Sequence, residues 1–528
     1  MSEATVPASA PAVRGAASTS PWLIAILVAL ATFMEVLDTT IANTILPYFA
    51  GGMGVSDDEA SWVVTTYLVA NAASLTASPY FARRFGRKTF FLICLALFSV
   101  SSILCAQARS LDALLMFRIL QGLAGGGMVP VSQSILAASF PPSKRGQAFA
   151  LFGVAVVVAP VVGPALGGWL ADNWSWRWAF LINGPVGLAT IALIALLLPA
   201  DRPDQARAAR FDLIGFLLVS TFLGALELVL DRGLEDDWFG SSFIVAVTMI
   251  CALAFVLMIP WEASRRDPMI DVRMVATRQF GACFVVMGAT GAILYATSQF
   301  LPLLVQSDFG YTATWAGLLL TPGGLVTMAM MFVVGNLAGR FQPKYLIMVG
   351  AVFCAISMYQ LTSVYGDLDF WFFARTRMAL GVGLPLIFIP MITASYDGIA
   401  PNRVDMASAL INAARNIGGS IGVSLAANVL QHREQFHQSR LIEHAIPSSP
   451  QYQQTLQQAT HYFLAHGSLA PEAHQQALSW IGQEVQTQAS YLAYIDVFWV
   501  LTALSIAAIP LALSLRKIKL GGHAPSAH

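Results

Sequence analysis

The chain has 528 residues, of which 56% are hydrophobic and only 11% are charged. A soluble protein would carry about a quarter charged residues, so the composition argues against that class and predicts a polytopic membrane protein. Basic and acidic residues balance at 29 each, which leaves no basic surplus for binding nucleic acid. The five cysteines lie in apolar stretches without metal-ligand spacing, and we predict small buried side chains rather than disulfides or ligands.

Residues 1–21 are rich in Ala, Ser and Pro and have no apolar centre, so we predict a disordered tail rather than a cleavable signal peptide. Beyond this tail, fourteen apolar segments recur, each long enough to cross the ~30 Å of hydrocarbon in a bilayer. They are 22–47, 60–82, 89–108, 111–138, 146–170, 177–199, 212–232, 241–262, 280–305, 313–337, 344–364, 371–397, 404–430 and 490–514.

The loops between these segments differ in charge. The loop at 48–59 contains acidic residues and no basic one. Lysines and arginines cluster instead in the loops on the side of the membrane where the N-terminus lies. This bias places both chain termini in the cytoplasm. The main clusters are Arg83, Arg84, Arg87 and Lys88; Lys144 and Arg145; Arg202, Arg207 and Arg210; Arg265, Arg266, Arg273 and Arg278; and Arg516, Lys517 and Lys519.

A weak internal repeat predicts two related halves. The pattern Arg-x-x-x-Gly followed by proline occurs at Arg118 and again at Arg377, each time in a segment that enters from the outer side. Two homologous six-helix units produce such an echo in many transporters. We therefore predict an N-terminal half at 22–199, two extra helices with their linkers at 200–279, a C-terminal half at 280–515 and a cytoplasmic tail at 516–528.

One loop, 431–489, is long and faces the outside, which would be the periplasm. It is rich in Gln and His, but the spacing fits no metal-ligand motif, so the alternatives are a solvated surface or a folded hairpin that meets a partner protein. We predict helices at 451–466 and 472–489, the second with an apolar stripe of Leu478, Ile481 and Val485.

Two carboxylates lie within the first apolar segment. Glu35 and Asp38 are three residues apart and share one helix face. A charge at mid-membrane costs at least ~3 kcal/mol, whereas a carboxyl in apolar surroundings can exist protonated. Hydrogen bonding between helices is the ordinary explanation for such residues. The alternative is a proton-coupling site, for which Asp38 is the stronger candidate.

Arg118 is the expected partner of Asp38. It lies in the segment 111–138 and stays charged at any working pH, so it needs a carboxylate or several carbonyl groups nearby. Proton uptake by Asp38 would break such a pair. An arginine that extends to the membrane interface is the alternative.

Two further stretches carry unusual residues. In APVVGPALGG, 159–168, small residues at every fourth position favour close helix packing, and Pro160 and Pro164 permit bending. In 404–430, Arg415 is a second buried cation whose partner the sequence does not identify, although Glu227 is one possibility. We expect the substrate cavity to include Thr39, Asn43, Gln121, Asn412 and Arg415.

No Ser/His/Asp set, phosphate-binding Gly loop or Walker motif is present, so we predict a protein that is not an enzyme and not an ATP-driven pump. The energy source should be an ion gradient.

These stretches together resemble a known family. LDTTIANTILP at 37–47 resembles the first-helix signature of drug:proton antiporters in the Major Facilitator Superfamily, RILQG at 118–122 the fourth-helix signature and GPALGG at 163–168 the fifth-helix signature. NAARNIGGSIG at 412–422 resembles the fourteen-helix EmrB/QacA branch. The resemblance covers about 22–515.

The resemblance implies an all-α superfamily fold with fourteen transmembrane helices in a bacterial inner membrane. It assigns proton coupling to Asp38 and Arg118, and we add Glu35. It also implies an antiporter hinge, and no cofactor beyond the proton gradient. A periplasmic adaptor of the EmrA type and an outer-membrane channel of the TolC type are the implied partners. The hinge residues are Pro160, Gly163, Pro164, Gly167 and Gly168.

One loop departs from the superfamily. PYFARRFGRK at 79–88 has Pro79 and Arg83 where the family usually has a glycine and an acid, which removes one charge of the usual cytoplasmic latch.

The sequence therefore predicts a proton-coupled exporter of hydrophobic toxic compounds. One alternative is an exporter of a specific metabolite such as a fatty acid or siderophore. A non-transporting membrane sensor or scaffold, with 431–489 as its recognition module, is another alternative, which the buried charges and hinge glycines disfavour.

Overall fold

The computed structural model describes residues 20–199, 211–265, 268–400 and 403–517. The predicted tails at 1–21 and 516–528 lie mostly outside these ranges. Within them the regular structure is helical: α1 (Pro21–Thr44), α2 (Leu46–Met53), α3 (Asp57–Leu75), α4 (Ser78–Phe85), α5 (Arg87–Gln107), α6 (Leu111–Gly125), α7 (Met128–Ser139), α8 (Pro142–Asn173), α9 (Arg177–Leu181), α10 (Asn183–Leu197), α11 (Leu213–Arg232), α12 (Ser242–Ser264), α13 (Val272–Val275), α14 (Arg278–Ser307), α15 (Ala313–Leu337), α16 (Pro343–Leu361), α17 (Phe370–Ser395), α18 (Val404–His444), α19 (Pro450–Ala465) and α20 (Ala470–Leu513), with one 3₁₀ turn at Trp238–Gly240.

All fourteen predicted apolar segments coincide with helices or helix pairs. In the described ranges, 11 helical stretches are long and apolar enough to cross a membrane, or 12 when the bent α8 counts as one span. The other two segments are α3 and α18, which are more polar: α3 begins with three acidic residues, and α18 carries Asp405 and Arg415. Polar residues of these helices form buried hydrogen bonds, such as that of Asn71 on α3 with Glu35 and that of Asn412 on α18 with Gln133.

The helices pack in two sets. In the N-terminal set, α1–α10, helix α1 packs against α8 and α10, and α3 packs against α6. In the C-terminal set, α14–α20, helix α14 packs against α18, and α16 packs against α17 and α20. Helix α8 joins the sets because it also packs against α15 and α17. The domain boundaries at 22–199 and 280–515 stay a prediction.

Helices α11 and α12 pack together, and α11 also contacts α3 and α18. Three polar contacts fix α11 in this place. Asp231 accepts a hydrogen bond from Thr65, Glu227 accepts from the Ser420 hydroxyl at 2.8 Å, and Arg232 forms an ion pair with Asp58 at 2.9 Å. Helix α11 thereby touches both sets.

The segment predicted as a long loop, 431–489, is helical. Helix α18 continues through 41 residues to His444, α19 folds back, and α20 runs 44 residues without a break into the last apolar segment. We call the end of the bundle that carries α19 the hairpin end, and the end where α1 begins and α20 ends the termini end.

The predicted helices in this hairpin are present, but the predicted stripe is partly wrong. Leu478 is exposed, and α20 meets α19 through Ala477, which is fully buried, and through Ile481. Two helices approach most closely where their side chains are small. The contact therefore forms through Ala477 and not through the larger Leu478.

Candidate functional site

An enclosed ion pair lies at the centre of the N-terminal set. Arg118 on α6 is 0% exposed and Asp38 on α1 is 2% exposed. The Arg118 Nη1 atom lies 2.6 Å from Asp38 Oδ2, so the structure brings these two predicted residues into direct contact. The other carboxylate oxygen, Oδ1, accepts hydrogen bonds from Gln121 Nε2 at 2.9 Å and from Asn183 Nδ2 at 2.7 Å.

Helix α3 covers much of the rest of the arginine, although its buried Nη2 has no hydrogen-bond partner in the described ranges. Its Nε donates to the Val63 carbonyl at 3.0 Å, and its guanidinium carbon lies 4.3 Å from the centre of the Tyr67 ring, a cation–π distance. Both residues belong to α3. This helix can approach because of Gly122 on α6, where a methyl group would overlap the Tyr67 carbonyl oxygen. The Arg-x-x-x-Gly spacing therefore serves to bring a backbone acceptor to the cation.

Asn183 is the functional candidate that sequence reasoning missed. It begins α10 and also donates to the Ser102 hydroxyl at 3.0 Å, which places its amide between α1 and α5. The signal was a lone asparagine within an apolar span. The nearby tryptophans at 176 and 178 give no hint of it, because aromatic residues are common at the ends of membrane spans.

The chemistry of this site follows from its burial. Removing one partner of a buried ion pair costs about 3–5 kcal/mol, because the other charge is left without compensation. Protonation of Asp38 has the same effect as removal of its charge. Proton binding to the Asp38 carboxylate can therefore leave Arg118 without a counter-charge, which favours a rearrangement of α1 relative to α6.

Glu35 lies one turn away, on the side of the C-terminal set. Its Oε1 accepts from Asn71 Nδ2 at 3.2 Å, whereas its buried Oε2 has no hydrogen-bond partner. Its electrostatic neighbours are Arg415 and Asp38. Arg415 is 4% exposed, and its Nε and Nη1 also lack partners.

Glu227 was wrongly suggested as the partner of Arg415. Helix α11 turns this carboxylate toward Ser420, more than a helical turn beyond Arg415, and the described residues show no ion pair between the two. The acid that faces Arg415 comes instead from α1 of the other set.

The predicted hinge residues lie on α8, and Gly163 and Gly167 among them face α1. A side chain at Gly163 would overlap Thr40, and one at Gly167 would lie 3.0 Å from the Ile41 side chain. Pro160 and Pro164 are half-buried, and α8 bends by 41° between its parts Lys144–Pro160 and Val162–Asn173. Gly168 meets open space. The close contact is thus made with the helix that carries Asp38.

The five residues expected in a substrate cavity have different surroundings, and their place in one cavity stays a prediction. Gln121 belongs to the ion pair, and Asn412 is enclosed between the sets, where its Nδ2 donates to Gln133 Oε1 at 2.7 Å. Thr39 is half-buried and donates to the Glu35 carbonyl, whereas Asn43 is exposed. Short polar side chains in a membrane helix find such hydrogen-bond partners readily.

A second unpredicted cluster links the two sets at the termini end. Arg87 Nε lies 2.9 Å from Asp405 Oδ1 and its Nη2 lies 3.2 Å from Oδ2, a two-point contact. Ser134 also donates to Asp405. We call these three residues the latch. The acid missing from 79–88 is therefore supplied by α18, on the opposite set.

Further hydrogen bonds between the sets lie beside the latch. Ser408 donates to the Pro130 carbonyl at 2.9 Å, and Gln147 donates to Asn336 at 2.6 Å. Every described side-chain hydrogen bond that joins the N-terminal set to the C-terminal set lies toward the termini end. That end is closed, and the hairpin end lacks such links in the described ranges.

The fold and the buried ion pair are those of a membrane transporter. The family model of the Major Facilitator Superfamily matches residues 28–423, and the chain belongs to this superfamily. The human organic anion transporter MFSD10 superposes on 92% of this chain and 99% of its own, with a TM-score of 0.57 at 14% identity. An inward-facing bacterial homolog of the lysosomal transporter Spinster covers 94% of this chain and 98% of its own, with a TM-score of 0.56 at 15% identity.

More similar sequences come from bacteria. The chain is 34% identical over 478 residues to the multidrug export protein EmrB of Haemophilus influenzae, covering 90% of this chain and 92% of that protein. It is 33% identical, with the same coverage, to the EmrB protein of Escherichia coli K12. It is 34% identical over 501 residues to the fatty acid resistance protein FarB of Neisseria gonorrhoeae, covering 95% and 96%.

Proposed function

We propose that this chain is a proton-coupled exporter of hydrophobic toxic compounds across a bacterial inner membrane. The observation that carries the proposal is the Asp38–Arg118 ion pair, because both partners are enclosed within one set of helices. The EmrB relatives are named multidrug export proteins, which supports export as the direction of transport and drugs as the class of substrate.

The orientation follows from the basic residues. Arg84 and Lys144 are exposed at the termini end, with the other basic residues of their clusters beside them, so this end faces the cytoplasm. The latch is closed there, and the described ranges contain no such links at the hairpin end, which supports a state open to the outside.

Protons reach Asp38 from the hairpin end. Asn43, five residues further along α1 and hence about 7 Å closer to that end, is exposed. A proton on Asp38 removes the charge that Arg118 requires, and the unpaired cation forces α1 and α6 to rearrange. Helix α1 passes this movement to α8 through the contacts at Gly163 and Gly167, and α8 contacts the other set.

Partner proteins would meet the hairpin end. Helices α18, α19 and α20 extend beyond the apolar segments, and large apolar side chains there are exposed, which is typical of protein interaction sites. We propose this surface for a periplasmic adaptor of the EmrA type, linked to an outer-membrane channel of the TolC type. The exposed residues include Ile442, Tyr462, Leu469 and Trp480.

A transport assay tests the proposal. In inside-out membrane vesicles, Asp38→Asn should abolish dye transport driven by a proton gradient, and purified protein carrying this change should no longer release protons when the dye is added. Asp112→Asn is the matched control, because Asp112 is exposed on the same helix as Arg118. Full proton-driven transport by folded Asp38→Asn protein would remove the ion pair from the mechanism.

Export of fatty acids is a second candidate function. The likeness to the fatty acid resistance protein FarB over 95% of the chain favours it.

A further inference from the structure

A row of polar side chains on α18 faces α7 of the other set. Asp405, Ser408 and Asn412 are spaced by three and four residues, which places them on one face of the helix. Each makes a hydrogen bond to α7 across the boundary between the sets. Asn412 lies about 10 Å further from the termini end than Asp405 by the rise of a helix, and it makes the last such bond of α18 among the described residues. The row therefore runs from the closed end toward the middle of the bundle.

The inner end of this row is a reciprocal pair of amides. Asn412 Nδ2 donates to Gln133 Oε1 at 2.7 Å, and Gln133 Nε2 donates to Asn412 Oδ1 at 3.4 Å. Ser408 also donates to Gln133 Oε1, at 3.0 Å. Gln133 is 1% exposed and Asn412 is 2% exposed, so the two amides satisfy each other and not water. We call Gln133 and Asn412 the amide pair.

Alternating access separates the amide pair. Helices α7 and α18 belong to different sets, so they move apart in a state that is open at the termini end. Each amide then needs another hydrogen-bond partner, because a buried polar group without one destabilises the state in which it occurs. Water fills this role in an empty cavity, but a hydrophobic compound that binds there displaces the water. The compound must therefore supply a donor and an acceptor of its own.

The chemistry of the amide pair specifies the group that replaces it. A side-chain amide offers N–H donors and a carbonyl acceptor and carries no charge. A neutral carboxamide in the ligand can bind each amide as the two bind each other. A site built to hydrogen-bond its ligand disfavours an analogue without that group, because the polar atoms of the site are left unpaired. An apolar contact beside the pair, between Leu75 of α3 and Ala409 and Ala413 of α18, separates with it and offers a surface for the apolar part of the ligand.

We infer that Gln133 and Asn412 recognise the exported compound in the state open at the termini end, and that this compound is hydrophobic and carries an uncharged amide. The inference rests on the proposed export function and specifies a substrate class for it. When the termini end closes, the two amides return to each other and displace the compound from the inner side. The same contact therefore selects the substrate and favours its release to the outside.

Equilibrium binding of two matched probes tests the inference without a proton gradient. Benzanilide and trans-stilbene each join two phenyl rings, the first through an amide and the second through a hydrocarbon link. In full-length protein in phosphatidylcholine nanodiscs, the double change Gln133→Met and Asn412→Leu should reduce the preference for benzanilide over stilbene about tenfold. Both substitutions keep the approximate side-chain volume. A shift in the population of the open state cancels from the ratio of the two dissociation constants, because both probes bind that state.

A second amide pair between the sets provides the matched control. Gln147 donates to Asn336 at 2.6 Å, but this bond lies at the rim, where Asn336 is exposed. Gln147→Met with Asn336→Leu should therefore leave the ratio of dissociation constants unchanged. An equal ratio in wild type and in the Gln133→Met, Asn412→Leu protein would overturn the inference, and so would failure of the wild type to bind benzanilide.

A cross-link gives a second measurement that leaves the amide pair unaltered. Protein with Gln147→Cys and Asn336→Cys, joined by a short bismaleimide, keeps the termini end closed and should lose benzanilide binding. The same protein before cross-linking should bind the probe. The five native cysteines are buried and do not compete for the reagent. Undiminished benzanilide binding after cross-linking would place the probe outside the contact between α7 and α18 and overturn the inference.

The proton-coupling proposal and this inference fail separately. Asp38→Asn should keep the wild-type ratio of dissociation constants, because Asp38 bonds to Arg118, Gln121 and Asn183 and not to the amide pair. Proton-driven transport that survives Asp38→Asn would therefore refute the coupling proposal and leave the binding result standing, and the reverse also holds.

Discussion

Opening of the latch is expected to shift the conformational equilibrium of the protein. Asp405→Asn removes the charge that Arg87 contacts with two nitrogen atoms. Both side chains are mostly buried, with exposures of 22% for Arg87 and 7% for Asp405, so water screens the pair little. Hydrogen bonds to charged groups contribute about 1.5–3 kcal/mol, and a loss of about 2 kcal/mol corresponds to about a thirty-fold shift. The ratio of protein with the termini end open to protein with that end closed should increase by that factor.

Distances between spin labels can measure this shift. Labels at Arg84 and Arg340, exposed on opposite sets at the termini end, should give one short distance in the wild type and a second, longer one in Asp405→Asn. Lys144→Gln is the control, since it removes an exposed charge from the same end. The exchange Arg87→Asp with Asp405→Arg should restore the short distance. Unchanged distances in Asp405→Asn would refute the latch.

Two other predictions concern stability. A side chain at Gly163 would overlap Thr40, whereas Gly168 faces open space. Gly163→Val should therefore lower the unfolding free energy by about 1–3 kcal/mol, and Gly168→Ala should not. Equal melting temperatures of the two variants in detergent would mean that α1 and α8 do not pack through this face. Burial raises the pKa of Asp308, just beyond α14, so the folded chain holds this proton more tightly than the unfolded chain. The stability from the protonated carboxyl is present below its ordinary pKa of 3.8 and is lost as the pH rises. Asp308→Asn should therefore melt at a higher temperature than wild type near pH 7 and at the same temperature near pH 3, and a difference that persists at low pH would contradict this.

The sequence predicted the helical segments and the contact between Asp38 and Arg118. Both depend on a strong, local constraint: lipid requires apolar spans of a given length, and a permanent cation within one of them requires an acid. Few acids lie within spans, so the choice of partner was small. Asn183 was not predicted, because an amide is tolerated in a membrane helix with many different partners.

The contacts between helices distant in the chain could not be predicted in the same way. Glu227 and Arg415 are both buried charges, but only the packing of α11 shows that the acid turns toward Ser420. Likewise, the repeat at Arg118 and Arg377 predicted equivalent helices and gave no sign that only the first has a carboxylate. The latch also departs from the expected loop, because its acid comes from α18 rather than from 79–88.

Helix α18 has a mechanical consequence for any protein bound outside the membrane. It begins beside Asp405 and continues for 41 residues to His444, a rod about 60 Å long at 1.5 Å per residue. If a helix of this length turns as a unit, a few degrees of tilt at the end beside Asp405 displace the other end by several ångströms. A partner protein bound near His444 would therefore respond to opening or closing of the latch without contacting the substrate.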